Sequence, residues 1–220
     1  MRKIITVLII VFSIPVFGQN HVIGLMSGMN WTNVNSSNFI TNNENRTGFN
    51  GGLTYEYKLN NKYSLGMDLL YFQKGFASDI IFRDDTGNPT GEKATLVFNY
   101  DYLSFPIKGG FFIGNKISGF ISLGLVPSIL INAKTTEPKI EGFINEKTTD
   151  VTDRVTKFDF GGLLEIGTNY KFGDKFLIFT SFAYQQSFTT ITNADYFSDS
   201  KIKHYGMTIS IGLKYIFRNE

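Results

Sequence analysis

The side chains in this sequence that can exchange protons or hold ions fall into three groups. Seven of them, Glu56, Lys58, Asp68, Lys108, Glu165, Lys171 and Lys214, sit inside stretches of alternating polarity. Each lies on the side of its stretch that otherwise carries Gly, Ser and Thr, so if the stretches are strands the seven face one way. Opposite charges confined to one narrow face pair with one another, because an unpaired buried charge is costly. The expectation is therefore a satisfied polar network, with Glu56 and Asp68 on facing strands of one hairpin and Lys58 close to them. The same placement would also line a proton or ion path, which is the less favoured reading.

The second group is the two histidines. His21 lies near the start of the alternating region. His204 opens the last stretch, where it is expected at a rim, with Ser198, Asp199 and Ser200 nearby in sequence. Nucleophilic catalysis needs a nucleophile, a base and an orienting group in mutual hydrogen-bond reach, and nearness within one loop does not supply that. The chain is read as a non-enzyme, with no catalytic, cofactor-binding or metal residue assigned. The third group is a scatter of carboxylates, Asp84, Asp85, Asp150, Asp153, Asp195 and Asp199, suited either to a divalent cation, including those that bridge lipopolysaccharide, or simply to solvation; solvation is the preferred reading. Cysteine is absent, which removes disulfides, thiolate metal sites and an acylated lipoprotein anchor.

The elements that must position these groups repeat with a period of two, the mark of strands. Eight segments show it, at 21–34, 47–59, 62–75, 94–109, 117–132, 156–172, 175–188 and 203–218. In the last, Met207, Ile209, Ile211, Leu213, Tyr215 and Phe217 alternate with Thr208, Ser210, Gly212 and Lys214. Three connections are tight, Asn60-Asn61, Gly114-Asn115-Lys116 and Gly173-Asp174, with residue types that tolerate positive φ. The other four, 35–46, 76–93, 133–155 and 189–202, are longer and polar. Short turns at one end and long loops at the other are the layout of outer-membrane barrels.

Composition points the same way. Only 18% of the 220 residues are charged, while Gly numbers 22 and aromatics reach 15%, against roughly 25% charged residues in soluble domains. The net charge of +2 and the scatter of basic residues exclude a nucleic-acid surface. Met1-Arg2-Lys3 followed by the apolar run Ile4 to Phe17 reads as a signal peptide over 1–18, cleaved after Gly18, leaving 19–220 as one barrel domain. That run is shorter than the roughly 20 residues a spanning helix needs, so a membrane role must use strands. A sheet in hydrocarbon must close to leave no edge, and closure accounts for an even count. The fold expected is an all-β, eight-stranded antiparallel up-and-down transmembrane barrel of the small OmpX/OmpA-like kind. Trp31, Tyr57, Tyr63, Tyr71, Tyr102, Phe172, Phe176, Tyr184, Tyr215 and Phe217 fall near segment ends, where interfacial girdles belong. Ile209, Ile211, Leu213, Tyr215 and Phe217 form an alternating C-terminal assembly signal.

Several stretches together resemble one family. Gly24-Leu25-Met26-Ser27-Gly28-Met29-Asn30 is similar to its opening strand, and Glu56-Tyr57-Lys58-Leu59 with Leu69-Leu70-Tyr71-Phe72-Gln73-Lys74-Gly75 to its hairpin. Tyr102-Leu103-Ser104-Phe105-Pro106 is similar to a further strand, with Ser104 at a position acidic in the family, and Gly212-Leu213-Lys214-Tyr215-Ile216-Phe217 to its close. The chain resembles the PorT-family outer-membrane β-barrel proteins of Bacteroidetes across the whole mature chain. The resemblance implies the barrel and the outer membrane of a Gram-negative bacterium rather than an activity.

The function expected is that of a structural or interaction barrel of the cell envelope, without a wide pore, using long extracellular loops as contact surface. Its expected partners are outer-membrane lipid and lipopolysaccharide, the barrel assembly machinery and an envelope or extracellular partner, with no cofactor and no nucleic acid. The alternative is an exported soluble barrel carrying a small apolar ligand, as lipocalins do. That alternative reverses the two faces, putting the large apolar residues inside.

Overall fold

Alternation along each strand decides the architecture, because a strand with one apolar face must bury or embed that face. The computed structural model describes residues 21–36, 43–139, 145–192 and 201–217, and the export signal and its cleavage position lie outside them. The strands are β1 (His21–Ser36), β2 (Asn43–Lys58), β3 (Tyr63–Arg83), β4 (Pro89–Ser104), β5 (Ile107–Gly114), β6 (Ile117–Glu137), β7 (Lys147–Asp150), β8 (Phe158–Phe172), β9 (Phe176–Ser187) and β10 (Ile202–Phe217). Every pairing is antiparallel, and the sheet closes on itself where β1 meets β10 from His21↔Phe217 to Ser36↔Ile202.

Ten strands occupy eight positions around the wall. β4 and β5 are successive parts of one barrel strand, both pairing with β3 and with β6. They part at Phe105 and Pro106, because proline has no N–H to give the ladder. The break leaves no gap in the bonding: Asp68 N–H donates to the Pro106 carbonyl at 2.9 Å, and Phe105 N–H to that of Pro127 at 2.9 Å. β7 pairs only with β6, above the wall.

The apolar face points outward. Leu25 (63% exposed), Leu53, Leu65, Leu123 (66%), Ile166, Ile178, Ile209 and Leu213 form a continuous external band, which in water would have no cover. The inward face carries Glu56, Asp68, Glu165 and Lys214 among Gly and Ser. This is the polarity of a membrane barrel and the reverse of a soluble ligand carrier. Most of the expected girdle residues lie on the outer surface, Trp31, Tyr63, Phe172, Phe176, Tyr184 and Phe217 among them. Tyr102 is a correction: its even position on β4 turns it inward, and it is 0% exposed.

At one end the connections are tight. Asn60 Oδ1 accepts from Lys62 and Tyr63 N–H at 2.8 and 2.9 Å. Gly114 and Gly173 adopt φ of +110° and +62°, a backbone region that penalises a Cβ. At the other end two expected loops are corrected. Segment 76–93 is mostly strand, since β3 runs to Arg83 and β4 starts at Pro89 around a turn at Asp84. Segment 133–155 begins with the end of β6, which pairs Lys134↔Asp150 to Glu137↔Lys147 with β7. Polar composition suggested loops there, but a hairpin standing in water needs no apolar face.

Long inward side chains fit only because small residues face them. The Phe179 ring lies against Gly212, where a Cβ would also strike the Leu25 carbonyl. Gly212→Val is expected to abolish most barrel formation, read as loss of the compact, heat-modifiable band on a gel. A variant that folds like the wild type would show that this contact is not limiting.

Candidate functional site

The barrel interior gathers the charges, and the geometry orders them into ion pairs along the axis. Toward the turn end, Lys214 Nζ on β10 meets Glu56 Oε2 on β2 at 3.0 Å. In the middle, Lys108 Nζ on β5 sits between Asp68 Oδ2 at 2.7 Å and Glu165 Oε2 at 2.8 Å. Toward the loop end, Lys74 Nζ on β3 reaches Asp159 Oδ2 on β8 at 2.7 Å, both side chains 3% exposed. Lys214–Glu56, Lys108–Glu165 and Lys74–Asp159 each join strands that are not neighbours, whereas Lys108–Asp68 joins the paired strands β5 and β3.

Five of the seven expected network residues, Glu56, Asp68, Lys108, Glu165 and Lys214, thus come together in pairs or triads. Lys58 and Lys171 face inward at the turn end, half-buried, and among the described residues they make no ion pair. Lys58, expected close to Glu56 and Asp68, forms no ion pair with either among the described residues; Lys214 and Lys108 reach them, and Lys58 Nζ lies 5.6 Å from the centre of the Phe112 ring.

Sequence reasoning missed the Lys74–Asp159 pair. Asp159 also accepts from Ser187 Oγ at 2.8 Å and Thr189 Oγ1 at 2.7 Å, so its carboxylate has three donors. Lys74 Nζ lies 5.0 Å from the centre of the Tyr102 ring, a cation–π contact. The available signal was positional: Lys74 and Asp159 each fall on the inward parity of their strands. His204 stands at the loop end of the last strand and faces inward there, 2% exposed, with its ring edge-on to Tyr100 and Tyr102. His21 sits at the opposite end, hydrogen-bonded to the Tyr55 hydroxyl at 2.8 Å. Ser198, Asp199, Ser200 and Asp195 lie outside the described residues.

Apolar clusters lie at both ends of this ladder, a large one at the loop end and a small one on the adjacent strands β1, β9 and β10 at the turn end. At the loop end Val34, Phe76, Tyr100, Tyr102, Leu130 and Ala133 pack with Val155 and Ile191 from the connections. Those two are tied down by Thr156 N–H to the Ile191 carbonyl at 3.0 Å and Ile191 N–H to that of Ile202 at 2.9 Å. At the turn end Val22, Leu177 and Ile216 meet. Among the described residues three interior voids of about 10, 20 and 30 Å³ lie along the ladder, each with room for single waters.

Among the described residues no three carboxylates, histidines or cysteines gather as a metal would require. Asp84 turns onto its own hairpin, accepting from Thr86 Oγ1 at 2.6 Å and from Thr86 and Asn88 N–H at 2.9 Å. The Thr86 hydroxyl first and the Asn88 amide next hold this carboxyl below the usual aspartate range. Asp150 is lowered likewise by Thr152.

The sequence matches the family model described as outer membrane protein beta-barrel domain over residues 17–193. No curated protein matches it. Among solved structures the chain is similar to the attachment invasion locus protein Ail of Yersinia pestis, at 17% identity and TM-score 0.42, covering 89% of this chain and 98% of that one. It is similar to the outer membrane protein OprG of Pseudomonas aeruginosa at 11% identity and TM-score 0.47, covering 92% and 97%. It is also similar to the outer membrane protease OmpT of Escherichia coli at 10% identity and TM-score 0.43, covering 91% and 97%.

Lys108→Met leaves Asp68 and Glu165 facing each other without a cation and is expected to cost about 3 kcal/mol or more. Lys58→Met is expected to stay within about 1 kcal/mol. Urea unfolding in lipid, followed through the single Trp31, separates the two, and equal losses would refute the ladder as drawn. Because the folded Asp84 carboxyl titrates below its unfolded value, its support of the turn is present above the ordinary carboxylate range and fades as pH falls through the lowered value. Hydrogen exchange of the Thr86 and Asn88 amides should speed up over that acid window, and Asp84→Asn should remove the dependence.

Proposed function

We propose a role that starts from one premise: the chain belongs to the outer membrane protein beta-barrel domain family, and so resides in the outer membrane of a Gram-negative bacterium. Within it, we assign the chain to the PorT group of Bacteroidetes on the strand and hairpin motifs it carries. Residues 1–18 act as the export signal and 19–220 form the mature domain. The turn end faces the periplasm and the loop end faces outward, among lipopolysaccharide. Ile209, Ile211, Leu213, Tyr215 and Phe217 act as the segment read by the barrel assembly machinery.

The mature protein acts as a non-catalytic, non-conducting interaction barrel of the envelope. One observation supports this reading: the lumen is crossed along its length by the ion-pair ladder, with an apolar cluster over it at the loop end. Contact with a partner then falls to the loop end, where β3 and β4 extend as a hairpin and β6 carries β7 beside it. Strand pairing gives that surface a rigid base, and the polar tip at Asp84 and Asp85 is exposed. The inward His204, enclosed by Tyr100 and Tyr102, supports the non-enzyme reading.

The absence of cysteine makes a clean test of sidedness possible. Asp85→Cys should react with a membrane-impermeant maleimide on intact cells, and Asn61→Cys only after the envelope is permeabilised. The reverse pattern would invert the topology. In planar bilayers the purified protein should give no porin-like conductance steps; regular large steps would overturn the non-conducting reading.

A further inference from the structure

Each tight turn at one end of the barrel carries one lysine, and each is fixed in the same manner. The carbonyl of Lys62 accepts from Phe112 N–H at 2.7 Å, that of Lys116 from Lys171 N–H at 2.8 Å, and that of Lys175 from Ile216 N–H at 2.7 Å. In every case a neighbouring strand anchors the backbone, and all three lysines are exposed. Lys58 and Lys171 add two inward cations at the same mouth. Among the described residues Asp174 is the acid that shares these turns, since Glu56 is engaged by Lys214. The loop end carries both signs together, as in the pairs Asp79–Lys93 and Asp153–Lys157. The barrel is thus electrically lopsided, basic at its turns and mixed at its loops.

These lysines stand where the external apolar band stops. Tyr63, Ile113, Ile117, Tyr170, Phe172 and Phe176 form its rim, all exposed on the lipid-facing side. Lys116 Nζ lies 5.9 Å from the centre of the Tyr170 ring, so this side chain runs along the outer wall and not over the lumen. A lysine stem lying on an apolar rim carries its charge to the depth of lipid phosphates.

We infer that Lys62, Lys116 and Lys175 form a headgroup-binding ring that selects anionic phospholipids, through their phosphodiester and its excess negative charge, in the leaflet at the turn end. Spacing supports this occupant over a protein. The three lysines sit on three separate turns around the circumference, a layout that suits several small headgroups, whereas a docking protein needs a contiguous patch. The ring holds a shell of such lipids and fixes the depth and tilt of the barrel. This adds a lipid partner to the proposed envelope role and rests on the embedded barrel alone, not on its sidedness.

The test is native mass spectrometry of the full mature chain released from nanodiscs made with equal phosphatidylcholine and phosphatidylglycerol. Retained phosphatidylglycerol is expected to exceed phosphatidylcholine by about tenfold at low salt, and the excess to vanish at about 0.5 M salt. Lys62→Gln/Lys116→Gln/Lys175→Gln should remove the preference while keeping the heat-modifiable band. A loop-end control, Lys134→Gln/Lys147→Gln/Lys203→Gln, should keep both. Equal retention of the two lipids by the wild type overturns the inference, as does an unchanged preference in the turn-end triple. So does displacement of the retained lipid by inorganic phosphate or by an acidic peptide at equal charge, which would mark a free-anion or protein site. Discs impose no inside or outside, so failure here leaves the maleimide result standing, and the converse holds.

Discussion

Hydrocarbon cannot hydrogen-bond, and every other feature of this molecule is arranged around that constraint. An open sheet in lipid would leave a row of bare N–H and C=O groups on each edge, at a cost of several kcal/mol per group. The register between β1 and β10, unbroken from His21↔Phe217 to Ser36↔Ile202, is what removes both edges at once. The two prolines in the wall show how little slack the constraint leaves. Pro106 and Pro127 cannot donate, yet their carbonyls accept from Asp68 and Phe105, so the break between β4 and β5 costs the ladder nothing on its acceptor side.

Closure with eight wall positions then dictates the interior. A barrel of this size is only as wide as the side chains that fill it, so each inward residue is paired with what stands opposite. Glycine makes room for length: Lys108 passes over Gly66 and Gly124, and Phe179 lies against Gly212. Charges brought into such a space must meet across it, and Lys108 between Asp68 and Glu165 does so at hydrogen-bond distance. Such pairs are weak evidence for stability, because desolvation offsets much of their attraction. Their physical consequence is specificity. A strand slipped by one residue would turn Lys108 or Lys74 into lipid and bring Ile107 or Gln73 inward.

What could be read beforehand was whatever depends on parity along one strand. Alternation assigned Glu56, Asp68, Lys108, Glu165 and Lys214 to the inner wall and Leu213 or Leu123 to the outer one, with no knowledge of neighbours. Parity does not say which residue stands opposite across the lumen. Lys74 and Asp159, 85 positions apart in sequence, therefore went unnoticed, and nearness of Lys58 to Glu56 and Asp68 did not say that Lys214 and Lys108 are the cations that reach them. Tyr102 was misplaced because an aromatic near a strand end suits a girdle on composition, while its even number on β4 turns it inward. The long hairpin of β3 and β4 escaped for a related reason: above the membrane both faces of a strand meet water, and the alternation that marks strands fades.

The filled lumen also limits where specificity can reside. The outer band meets lipid chains that differ little from one another, and the interior is occupied by paired charges. Only the two ends remain to distinguish this barrel from any other of its size, and they are built differently. The loop end is covered by Val155 and Ile191, which pack on the inner cluster, and is prolonged by paired strands. Among the described residues the turn end has no such extension. Its connections are too short to recognise shape, so charge is the property left to it, and lysine on each of the three tight turns supplies that charge at the depth where the apolar wall ends. The division follows from strand geometry itself, since a barrel strand needs a turn it can close tightly at one end and is free to run on at the other.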